Sequence, residues 1–257
     1  GLLENRKRTI ELSWMQKTAC LLGLVLSFVA SSGSAAPDYA RVRGALSSWD
    51  LLQAEKLLSS KPSASVGLEH AILKGRLDLM RSDFDNVVKG LVPKVSAHPR
   101  AYEARVLLGK ALYALGRNED AFKILDVMAT DYTNDDVSNA EDLMWLGVGL
   151  HLTDYAKNAV TVFEESLSAQ AGLVAARVHM ANLFVSKANY QDSDQLYDEV
   201  LKKHPHHVGA LLGAARIDIE SDRNYPSARK KAMGILGKSP ACVPAHNLIA
   251  ELDLLGE

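Results

Sequence analysis

An all-α chain, built as a stack of antiparallel helix pairs, is the fold class this sequence predicts, and two observations predict it. The first is composition: aromatic residues make up 6% of the 257, there are only 8 prolines and 17 glycines, and Ala and Leu recur throughout. That balance favours helix over sheet. The second is a period. Val87, Ala121, Ala159, Ser193 and Ala228 stand in the same local pattern and are separated by 34, 38, 34 and 35 positions. A recurrence of that length marks a repeat architecture, in which each unit is one supersecondary element.

Residues 1–36 differ in kind from the rest. Arg6, Lys7, Arg8 and Lys17 precede an uncharged apolar run from Ala19 to Ala30, which leads into the small residues Ser31 to Ala36. This is the pattern of a secretory signal peptide. The run is too short to span a bilayer comfortably, because a spanning helix needs about 20 residues. Cleavage after Ala35 places small residues at the right positions; the alternative is an uncleaved anchor. Met15 is a natural start point, which makes residues 1–14 an upstream extension. Without residues 1–36 the formal charge moves from -2 to -4. No long basic run follows, so the footprint of a nucleic-acid binder is missing. Cys20 falls within the signal, leaving Cys242 alone and unable to form an internal disulfide. It reads as a small core filler.

Residues 37–66, with Trp49, Ala54 and Leu58, read as a degenerate or capping helix pair. The clearest repeat is Leu107-Leu-Gly109-Lys-Ala-Leu-Tyr-Ala-Leu-Gly116 followed by Ala121 and Leu125. It resembles the tetratricopeptide repeat, in which a Leu-Gly pair lies midway along a first helix, a Gly closes it, and an Ala opens the core of a second. The grammar returns at Trp145-Leu-Gly147 with Ala159 and Phe163, and at Met180-Ala181 with Tyr190, Ser193, Tyr197 and Pro205. Weaker copies hold Gly75, Phe84, Val87, Leu91 and Pro99, and then Ile219, Tyr225, Ala228 and Pro240. About five repeats fill residues 67–241. The 38-residue step implies four extra residues around Thr133 to Ala140, and the last full unit carries one extra near Asp222 to Asn224. Residues 242–257 read as the first helix of a further, truncated repeat, so the sequence is expected to be a piece of a longer protein. A right-handed superhelix with a concave groove is what the resemblance implies, because each helix pair buries its apolar face only against its neighbours.

Several motifs need weighing for chemistry. Ala232-Met-Gly-Ile-Leu-Gly237-Lys238-Ser239 matches a relaxed phosphate-binding loop, but such a loop follows a strand and opens a helix, whereas Ser227 to Leu236 reads as helix with a stop at Gly237. His204, His206 and His207 surround Pro205 without a Cys or carboxylate at ligand spacing, and read as a solvated turn. The acidic stretch Asp131 to Asp136 lacks the calcium-loop register and reads as a loop capping the next helix. Trp145 reads as core. No H-E-x-x-H, G-x-S-x-G or paired C-x-x-C occurs. No catalytic residue, cofactor or metal site is therefore expected within these residues.

If the family geometry holds, first helices line the groove and present Arg76, Lys110, Tyr113, Met144, Val148, His151, Val178, Asn182 and Ile217. This mixed apolar and weakly basic lining suits a peptide or a partner protein. Chaperone-binding members of the family grip a terminal carboxylate with Lys and Asn side chains. Only Asn182 matches that set, and Val178 stands where the basic residue belongs, so that function does not transfer. The expectation is a non-enzymatic protein-protein interaction scaffold of the periplasm or cell envelope. The alternative is an accessory repeat region of a larger exported enzyme, a peptidase or cell-wall hydrolase, whose catalytic domain lies beyond residue 257.

Overall fold

The computed structural model describes residues 38–59, 67–134 and 137–256, and the leader reading of residues 1–36 lies outside them. Among the described residues every regular element is a helix. They are α1 (Tyr39–Ser47), α2 (Leu51–Ser59), α3 (Leu68–Met80), α4 (Phe84–Ala97), α5 (Tyr102–Ala114), α6 (Asn118–Asn134), α7 (Ala140–Leu152), α8 (Ala156–Ala169), α9 (Val174–Ser186), α10 (Tyr190–Lys203), α11 (Val208–Glu220), α12 (Tyr225–Leu236) and α13 (Val243–Leu254). The order is that of an all-α repeat solenoid, which is the fold class the sequence predicts.

Small residues set the spacing inside each pair. A Cβ added at Gly75 would lie 2.9 Å from Leu91, one at Gly109 2.7 Å from Leu125, and one at Gly147 2.7 Å from the Phe163 ring. Each glycine therefore admits the large side chain that its partner helix carries seven positions after the turn-proximal end. The five markers of the period, Val87, Ala121, Ala159, Ser193 and Ala228, are all fully buried. Ser193 fits this apolar position because its Oγ donates to the Ala181 carbonyl at 2.9 Å, so no polar atom is stranded.

One left-handed residue turns the chain inside every pair: Trp49, Ser82, Gly116, Asp154, Ala188 and Arg223 all have φ between +50° and +72°. Only one is glycine, so the packing of the helices imposes a conformation that the other side chains do not favour. The extra residue of the last full repeat falls in this turn, which runs from Ser221 to Asn224.

Three of the four extra residues of the other insertion lengthen a helix. Helix α6 is 17 residues long where α4, α8 and α10 are 14. Asp131 to Asn134 are helical, and the buried Tyr132 donates to Glu165 at 3.0 Å, so burial of one ring carries the helix through an acidic stretch expected to be a solvated loop. The cap of α7 is Asn139, whose side chain accepts from the Glu141 and Asp142 amides.

The two ends of the described stack touch. Trp49 packs against Val208, Ile235, Cys242 and Ala245, and Ser239 Oγ donates to the Ser48 carbonyl at 2.6 Å across 191 residues. Cys242 is fully buried at this junction, and burial pushes its thiol up from the ordinary value.

Candidate functional site

First helices of a stack are flanked on both sides by the first helices of neighbouring repeats. In α7, eight of 13 residues are buried, among them Met144 and Val148. An apolar residue on such a helix therefore packs on its neighbours before it reaches the groove. Met144 and Val148 lie within the central apolar cluster, and Val178 and Ile217 lie within the one that joins α9, α10 and α11. All four are buried. Asn182 is exposed, and Arg76, Lys110, Tyr113 and His151 are half-buried. Asn182 is engaged: its Oδ1 accepts from the Tyr197 hydroxyl at 2.5 Å, and burial pushes that phenol up to about 12. Tyr113 donates to the Leu152 carbonyl at 3.4 Å.

Side chains from four successive first helices, α3, α5, α7 and α9, form one cluster. The Arg76 guanidinium of α3 lies over the Trp145 ring of α7, 5.5 Å from its centroid. Trp145 in turn meets the His179 ring of α9, with centroids 5.7 Å apart and planes tilted by 51°. Arg76 is also ion-paired with the buried Glu103 of α5, which Arg43 of α1 reaches at 3.5 Å. Lys110 of α5 forms no ion pair among the described residues. Burial lowers its affinity for a proton, and the Arg76 charge lowers it further.

His179 is pushed down to about 3, first by burial and then by Lys110, Arg76, His151 and His207. His151 is lowered by burial and then by Lys110 and Lys187, and its Nε2 lies 3.0 Å from Ser186 Oγ. His179 is neutral at pH 7, and the basic side chains beside it are Arg76 and Lys110. A guanidinium on an indole, beside an ammonium without a counter-charge, favours a carboxylate that brings an apolar neighbour with it.

Sequence reasoning found Arg76, Lys110 and His151 but missed Trp145 and His179. A signal was present: the two are 34 residues apart and occupy the sixth position of successive first helices. Among the described residues no three His, Cys, Asp or Glu side chains converge as metal ligands. The Gly237-Lys238-Ser239 segment ends α12, with Gly237 in right-handed helical geometry as its cap, and no strand precedes it. No described helix is long and apolar enough to cross a membrane.

Helix pairs in register, a left-handed turn in each, and a polar cluster on first helices define a helical-repeat protein of a type that is typically non-enzymatic. A tetratricopeptide repeat model matches residues 95–136, the stretch that holds α5 and α6. Among solved structures, a tetratricopeptide repeat protein from Parabacteroides merdae ATCC 43184 matches with a TM-score of 0.53 and 15% identity, over 84% of each chain. MamA matches with a TM-score of 0.39 and 18% identity, over 65% of this chain and 94% of that one. No curated protein matches at the sequence level. The repeat match and the likeness to the Parabacteroides merdae protein support a tetratricopeptide-type repeat fold for the chain.

Proposed function

We propose that the chain is a protein-protein interaction scaffold whose inner face takes an extended acidic segment of a partner, with a partner carboxylate on Lys110 and an apolar side chain against Trp145. One observation carries this reading: half-buried Lys110, without an acidic partner among the described residues, feels the charge of Arg76, whose guanidinium faces the Trp145 indole. An unpaired, partly desolvated charge is costly, and an incoming carboxylate removes that cost. Trp and Arg are enriched among the residues that dominate binding energy in interfaces.

The signal-like leader supports placing this activity in the cell envelope. A reporter fused after residue 36 should be exported; retention inside the cell refutes the location and leaves the binding reading intact.

The binding test uses fluorescence anisotropy with three labelled peptide pools, acidic, neutral and basic, each carrying one aromatic residue. The acidic pool should bind best, and Lys110→Glu should weaken it by about 30-fold or more, as loss of a charge-pair partner does. Equal binding of all three pools, or indifference to Lys110→Glu, would sink the proposal.

A further inference from the structure

The hairpin formed by α1 and α2 is held very differently on its two sides. Against α3 it is fixed: Val42, Leu46, Ala54 and Leu58 share one apolar cluster with Leu73 and Leu77. Arg81 adds a two-pronged ion pair to Glu55, at 3.0 and 2.8 Å. Against the C-terminal repeats it meets only a seam. There the contacts are the Trp49 indole on Val208, Ile235, Cys242 and Ala245, and the bond from Ser239 to the Ser48 carbonyl. Beside them lies a hollow of about 520 Å³, lined in part by Ser47, Ser48, His204, His206, His207 and Ser239. A polar, partly filled junction separates at lower cost than a dry apolar one, so the seam is where the stack opens first.

The same hairpin reaches the inner face. Arg43 binds Glu69 at 2.7 Å and shares Glu103 with Arg76, whose guanidinium covers Trp145. The hairpin that closes the stack is thus linked through Glu103 to Arg76 and the Trp145 ring.

We infer that the hairpin is a clasp: with Trp49 docked it closes the stack on itself and screens the face carrying Lys110 and Trp145, and with Trp49 released it opens that face to a macromolecule. The turn supports this role. The equivalent left-handed position holds Ser, Gly, Asp, Ala or Arg in the other pairs and a bulky aromatic only here, where it makes the end-to-end contact. An equilibrium between closed and open forms sets how much of the protein is competent to bind, whatever the partner.

The test measures labelling of Lys110 by an amine-reactive ester on a polyethylene glycol too bulky to enter a closed ring, with exposed Lys123 as internal reference. Trp49→Ala should raise the Lys110 rate by about tenfold, the factor given by a shift of ~1.4 kcal/mol toward the open form. Adding Ser48→Cys and Ser239→Cys to that variant should restore protection when the pair is oxidised and lose it again on reduction. Since oxidised and reduced states are the same polypeptide, misfolding cannot produce that reversal. An unchanged Lys110 rate in Trp49→Ala, or oxidation that fails to protect Lys110, overturns the clasp. Neither result bears on peptide preference, so this inference and the binding proposal fail separately.

Discussion

The junction between α7 and α8 and the seam at Trp49 are both contacts between helices, yet they differ in what they supply. At the first, Phe163 is fully buried against Gly147 with no polar atom between them. At the second, a half-buried indole and one hydrogen bond border a polar hollow. Neighbour-to-neighbour contacts carry the stability of a repeat array, since each unit is stabilised by the next. The end-to-end contact adds little to that sum and instead decides which faces are open.

The sharpest way to break this comparison is Phe163→Ala. Loss of a fully buried ring in the middle of the stack should cost about 3–5 kcal/mol, read as a lowered urea midpoint. Trp49→Ala should fall well short of it despite removing a larger side chain. Equal losses would mean that the seam is a structural interface like the others.

Two glycines of α7 sharpen the same point. A Cβ at Gly147 meets the Phe163 ring at 2.7 to 3.0 Å, and a ring in a closed pair has no room to retreat. Gly147→Ala should therefore destabilise by about 1–3 kcal/mol. At Gly149 the clash is with the Met128 thioether, which is flexible, so the helix propensity gained by alanine offsets most of it. Gly149→Ala should be close to neutral by the same measurement.

Titration gives a smaller effect, confined to the inner face. The folded pKa of His179 is depressed to about 3, below an unfolded value near 6.5. Its contribution is therefore present above pH 6.5 and is lost as pH falls toward 3, because the unfolded chain takes up the proton first. Thermal midpoints should drop over that window and drop less in His179→Gln. A small gain is expected of Ala188→Gly, which relieves a left-handed alanine and should stabilise by up to about 1 kcal/mol. A loss of stability there would show that the turn is not strained.

What the residues fixed without coordinates was the helical class and the 34-residue period. These follow from propensity and from contacts at a constant separation, so any window of two helices contains the information. The candidate site was half legible. Arg76, Lys110 and His151 are polar on first helices and could be assigned to the inner side, whereas Val148, Val178 and Ile217 show that apolar residues on the same helices are drawn into packing with the next repeat. Three things belong to the tertiary structure alone: the longer α6, the meeting of Arg76, Trp145 and His179 from three repeats, and the contact of Ser48 with Ser239. The first depends on burial of the Tyr132 ring, and the other two on curvature, which is the accumulated sum of small rotations between neighbours. No local stretch of sequence holds that sum, and only the folded stack adds it up.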